Sequence, residues 1–169
     1  MSTILETRLR PWRTEAECAA SALALAQQPV LGDAFVELHG PLGAGKTTFA
    51  RHLLHGLGVE GAIKSPTYTL MEPYSAAVHG GFDIAHFDFY RFDDPQEWED
   101  AGFRDVFARP GLKLVEWPEK AAGLLPTCDL RITITPRPRA VANADDEVGS
   151  EARDARFEAL SERGRALLS

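Results

Sequence analysis

Gly40-Pro41-Leu42-Gly43-Ala44-Gly45-Lys46-Thr47 is the stretch on which the fold turns. Its spacing is glycine, four residues, then glycine-lysine-threonine. Before it lies Ala34-Phe35-Val36-Glu37-Leu38-His39, a short apolar run that reads as a strand ending at a glycine. After it, Phe49, Leu53, Leu54 and Leu57 recur at helical spacing and predict an amphipathic helix over 47–57, closed by Gly56 and Gly58. A strand before and a helix after is the context this motif requires. Gly40, Gly43 and Gly45 let the backbone curl tightly and aim its amides at an anion. The N-terminus of the following helix adds a positive dipole end. Lys46 supplies a mobile cation for β and γ phosphates, and Thr47 a hydroxyl for magnesium. Thr48 is either a second hydroxyl near the α-phosphate or simply a helix residue. Residues 40–48, with Pro41, Leu42 and Ala44 completing the loop, form a candidate site for a nucleoside triphosphate with Mg2+.

Such a loop needs an acidic residue at the end of a neighbouring strand. Two candidates stand out. Glu116 follows the apolar run Leu112-Lys113-Leu114-Val115, and Asp88 lies within His86-Phe87-Asp88-Phe89-Tyr90-Arg91. We assign Glu116 as the acid on the metal side. Asp88 is a second acid of the metal sphere or the group that orients the attacking water. Catalysis then rests on Lys46, Asp88 and Glu116, and the metal on Thr47, Glu116 and Asp88. Arg91 either neutralises charge on the γ-phosphate or forms a surface ion pair. His86 reads as a packed strand residue rather than a base, and Trp117 as packing or a partner contact.

Working outward, Ile4 to Leu9 alternates weakly and predicts an edge strand. Thr14-Glu15-Ala16-Glu17 has the form of a capping box opening an Ala/Leu-rich helix that Pro29 stops. Residues 61–80 read as an exposed connection with a short strand over 67–71. Ile84 to Phe89 predicts a strand. Asp93-Asp94-Pro95 opens a helix that carries Trp98, Phe103, Val106 and Phe107. A short helix over 119–125 and a strand over 130–135 follow. Residues 136–152 read as a flexible polar linker, returning through a strand over 156–160 to a last helix over 163–168. Strands alternating with helices predict a single α/β domain over 1–169. Its sheet is mixed but mainly parallel, flanked by helices, with an antiparallel edge from the final strands: a P-loop NTPase fold.

Four blocks in order now form a set: residues 40–49, Lys64-Ser65-Pro66-Thr67-Tyr68-Thr69-Leu70, residues 86–92, and Leu114-Val115-Glu116-Trp117-Pro118-Glu119. In order and spacing they resemble the bacterial TsaE (YjeE) family, the ATPase component of the machinery that makes threonylcarbamoyladenosine in tRNA. The resemblance implies weak Mg-dependent ATP hydrolysis by the protein alone and partnership with the TsaD and TsaB proteins, tRNA being met only through that complex. It maps the family's metal-binding Thr and Glu onto Thr47 and Glu116, and its functional Asp onto Asp88. It makes Ser65-Pro66-Thr67 a switch loop in which Thr67 senses the γ-phosphate. The sequence departs from the family at Cys18, where Thr is common near the nucleotide base, and at Phe89, where Leu is usual. The linker at 136–152 is longer and more charged than the family's.

Composition narrows the classes further. The 169 residues carry a net charge of -7, which argues against binding nucleic acid through bulk charge. Cys18 and Cys128 form neither a disulfide framework nor a metal-ligand pair. No charged-then-apolar leader opens the sequence, and the apolar run from Cys18 to Ala26 is too short to span a bilayer. These features predict a cytoplasmic setting and no membrane. A small-molecule kinase needs an arginine-bearing lid, for which Arg104 and Arg109 are the candidates. A GTP switch needs Asn-Lys-x-Asp, and the one asparagine, Asn143, begins no such motif. A nucleotide-bound scaffold without turnover is the third rival.

Overall fold

The computed structural model describes residues 3–64, 66–137 and 152–169. Seven strands form one mixed sheet: β1 (Glu6–Trp12), β2 (Phe35–His39), β3 (Met71–Ala76), β4 (Phe82–Asp88), β5 (Leu112–Glu116), β6 (Leu130–Pro136) and β7 (Arg153–Ala159), in the spatial order β1-β7-β6-β2-β5-β4-β3. The central block β6-β2-β5-β4 is parallel. Both edges are antiparallel, β6-β7-β1 on one side and the β3–β4 hairpin on the other. The sequence predicted the first edge and missed the second.

On one face, α1 (Glu15–Ala26) and α2 (Lys46–Gly56) pack over β2, β5, β6 and β7. Thr14 caps α1, its hydroxyl accepting from the Glu17 amide at 3.3 Å. Trp12 of β1 stacks on Phe49 of α2 with ring centroids 5.5 Å apart, so the N-terminal edge strand and the helix after the glycine loop share one core. The other face is aromatic: Phe87, Phe89, Trp98, Phe103 and Phe107 surround one another at 4.9 to 6.1 Å. Each such pair adds about 1 kcal/mol beyond the burial of its area. This cluster anchors the carboxyl end of β4.

Several expectations change. Residues 61–80 are not all connection, because β3 occupies 71–76. Of the expected strand over 67–71 only Met71 is strand, as the first residue of β3; residues 66–70 form a turn, closed by the Leu70 amide on the Pro66 carbonyl at 2.9 Å, with Leu70 at φ 66°. Pro73 is tolerated in β3 because the strand lies at the edge. The helix expected from Asp93 through Phe107 is two, α3 (Pro95–Asp100) and α4 (Phe103–Ala108), parted at Gly102 with φ 69°. Residues 119–125 are not an α-helix. A 3₁₀ turn over Pro118–Ala121 stands there, entered through Trp117 at φ 57°. The last strand starts at Arg153 rather than 156 and leads into α5 (Glu162–Leu167). The ends of the expected 136–152 linker are paired with each other. Pro136 ends β6, and the Arg137 amide donates to the Ala152 carbonyl at 3.0 Å, so both ends belong to the β6–β7 hairpin. Residues 138–151 of that linker lie outside the described residues. Among the described residues no helix is long and apolar enough to cross a membrane.

Candidate functional site

The carboxyl ends of β2, β4 and β5 meet where the loop from Gly40 to Gly45 enters α2, the position at which parallel α/β sheets form ligand crevices. A cleft of about 400 Å³ opens there. Its walls are Leu42 to Thr48, Thr67, Asp88, Tyr90, Arg91, Glu116 and Trp117. Glycine is needed at two points of the loop. A Cβ on Gly40, which sits at φ 146°, would run into the carbonyl oxygen of Ile134 on β6. Gly45 caps α2 at φ 106°, a conformation that side chains resist. Gly40 and Pro41 do not line the cleft, and their carbonyls both accept from the Lys46 ammonium, the latter at 2.9 Å. Leu42 is 72% exposed at the rim.

Lys46, the first residue of α2, therefore bends back on its own loop. Its Nζ also lies 3.9 Å from the centre of the Trp117 ring. Burial pushes its pKa down, opposed by the negative charges of Glu116, Glu119 and Asp88. Thr47, one residue on, donates its hydroxyl to Glu116 Oε1 at 2.8 Å. Glu116 ends β5 and is 1% exposed. Its second oxygen, Oε2, is 2.7 Å from His86 Nε2.

Asp88 ends β4 in direct register with Glu116, so the two acids project to the same face. The Tyr90 amide donates to Asp88 Oδ1 at 2.9 Å. Asp88 is also tied to the turn before β3, since its own amide donates to the Leu70 carbonyl at 3.0 Å. Thr67 reaches the cleft from that turn, and Arg91 faces it with its guanidinium 4.8 Å from the Tyr68 ring. Thr48 borders both the cleft and an adjoining cavity of about 130 Å³ shared with Trp12, Thr14, Cys18, Ala44 and Arg153. Burial raises the Cys18 thiol to about 12, with the Glu15 carboxylate adding to the shift and Arg153 opposing it.

The structure thus brings Leu42 to Thr48, Thr67, Asp88 and Glu116 to one cleft. A hydroxyl and two carboxylates beside an anion-seeking loop are hard oxygen donors of the kind that hold Mg2+ together with substrate phosphates. Among the described residues no three His, Cys, Asp or Glu side chains gather into a metal cage. The arginines a kinase lid would need are elsewhere: Arg104 pairs with Glu99 at 2.7 Å, and Arg109 bonds back to the Asp105 carbonyl. Sequence reasoning missed two contacts. Arg153 of β7 donates to the Ala44 carbonyl at 2.8 Å, supporting the loop from a distant strand. His86 grips Glu116. The two-residue spacing of His86 and Asp88 on one strand carried that second signal, since it puts both on one face.

The family described as "Threonylcarbamoyl adenosine biosynthesis protein TsaE" matches residues 12–142. The chain is similar to tRNA threonylcarbamoyladenosine biosynthesis protein TsaE of Haemophilus influenzae, with 50% identity over 99 residues. That match covers 59% of this chain and 61% of the relative, less than two thirds of its length. The protein of the same name in Bacillus subtilis is 35% identical over 155 residues, 89% of this chain and 90% of that one. The crystal structure of Bacillus subtilis YdiB superposes with a TM-score of 0.75 at 25% identity, covering 99% of this chain and 95% of that one.

Proposed function

The chain belongs to the TsaE family of threonylcarbamoyladenosine biosynthesis proteins, and from that premise we propose that it is a Mg-dependent ATPase of the P-loop NTPase fold, working with the TsaD and TsaB proteins in tRNA modification. One observation carries the enzymatic half of this proposal. The Thr47 hydroxyl, at the N-terminus of α2 and on the floor of the glycine loop, lies 2.8 Å from a buried carboxylate at the end of the neighbouring strand.

In this proposal the loop amides of residues 42–47 and the end of α2 bind the phosphates. Lys46 leaves the carbonyls of Gly40 and Pro41 to meet them, exchanging two neutral acceptors for an anion. Thr47 and Glu116 hold Mg2+, which when bound draws off negative charge from the phosphate oxygens. Asp88, which lines the same cleft, orients water toward the γ-phosphate. Thr67 and Arg91 approach that end of the cleft from exposed turns, so a partner that orders those turns raises turnover. The acidic chain meets tRNA only through its protein partners, and its work is cytoplasmic.

The test is phosphate release from ATP by the purified protein alone and after adding TsaB and TsaD proteins from the same source. Slow release alone and a clear rise with both partners is the expected result. No release under either condition would reduce the chain to a nucleotide-bound scaffold. Transfer of phosphate to a small molecule would make it a kinase.

A further inference from the structure

His86 holds Glu116 from behind. In the register of β4 with β5, Asp88 lies opposite Glu116 and His86 opposite Leu114, so His86 stands one step deeper on the same face. Its ring is fully buried, as is Glu116, and Nε2 is 2.7 Å from Oε2. The other carboxylate oxygen takes the Thr47 hydroxyl at 2.8 Å. His86 Nδ1 is buried and has no hydrogen-bond partner among the described residues.

The contact with Glu116 decides which ring nitrogen donates. A bare nitrogen facing an anionic oxygen at that distance would be repelled, so Nε2 carries the proton and donates it. We propose that His86, donating from Nε2, is a positioning residue that pins the Glu116 carboxylate so that Oε1 stays aimed at the Thr47 hydroxyl. The inference rests on the proposal that Thr47 and Glu116 serve Mg2+. With Oε1 fixed, the Thr47 proton has a permanent acceptor and the hydroxyl lone pairs are left for the cation. Without His86 the carboxylate can turn about its last torsion, which is broad. Lys46 is the cation toward which it would turn, since the Glu116 carboxylate contributes most among the charges that favour the charged form of Lys46. Outer partners of metal ligands of this kind change metal affinity by about 10- to 100-fold.

The first measurement needs no metal. In protein labelled with 15N-histidine, ring-nitrogen NMR is expected to show a proton on His86 Nε2. A ring whose Nε2 is bare overturns the inference. The second measurement follows Mn2+, standing in for Mg2+, by its EPR signal in the presence of ADP. His86→Leu is expected to weaken Mn2+ binding about tenfold. His86→Gln, which returns an N–H donor at similar reach, recovers most of that loss, and ADP binding in EDTA stays the same in all three proteins. Wild-type Mn2+ affinity in His86→Leu, or equal losses in Leu and Gln variants that both fold, would overturn it. If His86→Leu does not fold, the NMR result and the Gln variant decide. Should wild-type protein itself bind no Mn2+ with ADP, the nucleotide proposal beneath fails, and the inference with it.

Discussion

On the α2 side of the cleft, Lys46, Thr47, Glu116 and His86 grip one another or their own loop, and Glu116 and His86 are sealed from solvent. On the β4 side, the same cleft is bordered by turns that carry Thr67, Tyr68 and Arg91, and Tyr68 is 83% exposed. The first side is assembled before anything binds. The second hangs on short backbone ties, the Leu70–Pro66 turn and the Asp88–Leu70 bond. This difference teaches that one wall of the cleft is made of interlocked side chains and the other of exposed turns. In the function proposed above, nucleotide and metal meet a prepared floor, whereas the γ-phosphate end is completed by segments whose order a partner sets.

The comparison breaks most visibly at Lys46. Lys46→Ala removes the cation of the prepared side, and phosphate release should fall by about a thousandfold, read by a coupled assay with partners present. Turnover close to wild type would deny the floor its role. Asp88→Asn tests the other side. Release should fall by about a hundredfold while ATP affinity, from calorimetry, changes little. A matching loss of affinity would put Asp88 on the binding side instead.

Gly40→Ala probes whether the floor is as closely built as it looks. The added methyl meets the Ile134 carbonyl at a positive φ, and stability in urea should drop by about 2 kcal/mol. An unchanged midpoint would mean the loop is free to shift. The smallest effect concerns Cys18, beside the floor. Its folded pKa, about 12, stands above the ordinary value of 9.0. The unfolded thiol therefore ionises first. The stabilising contribution is complete below pH 9 and is lost as pH climbs from 9 toward 12. Across that window wild type should lose stability relative to Cys18→Ala, and parallel curves would refute the shift.

The prepared floor was also the legible part of the sequence. The glycine loop, β2, α2 and the acids at the ends of β4 and β5 are marked by local signals: glycine spacing, helical periodicity, and a carboxylate closing an apolar run. Whatever depended on distant pairing was hidden. The grip of His86 on Glu116 exists only once β4 lies in parallel register beside β5, and Arg153 reaches Ala44 only through the placement of β7. Local exceptions misled as well. Pro73 masked β3 because proline argues against strands except at an edge. Gly102 broke a helix whose apolar spacing ran straight through it. Trp117, held in a left-handed conformation, turned the chain into a 3₁₀ turn that apolar spacing cannot distinguish from a short helix.

The central claim is that the Thr47–Glu116 pair holds a metal against a bound nucleotide. Calorimetry of ADP binding to wild type and Glu116→Gln, each with Mg2+ and with EDTA, tests it most directly. The account predicts that Mg2+ tightens binding to wild type, that the variant loses most of this gain, and that the two bind alike in EDTA. Equal tightening by Mg2+ in both proteins would contradict it.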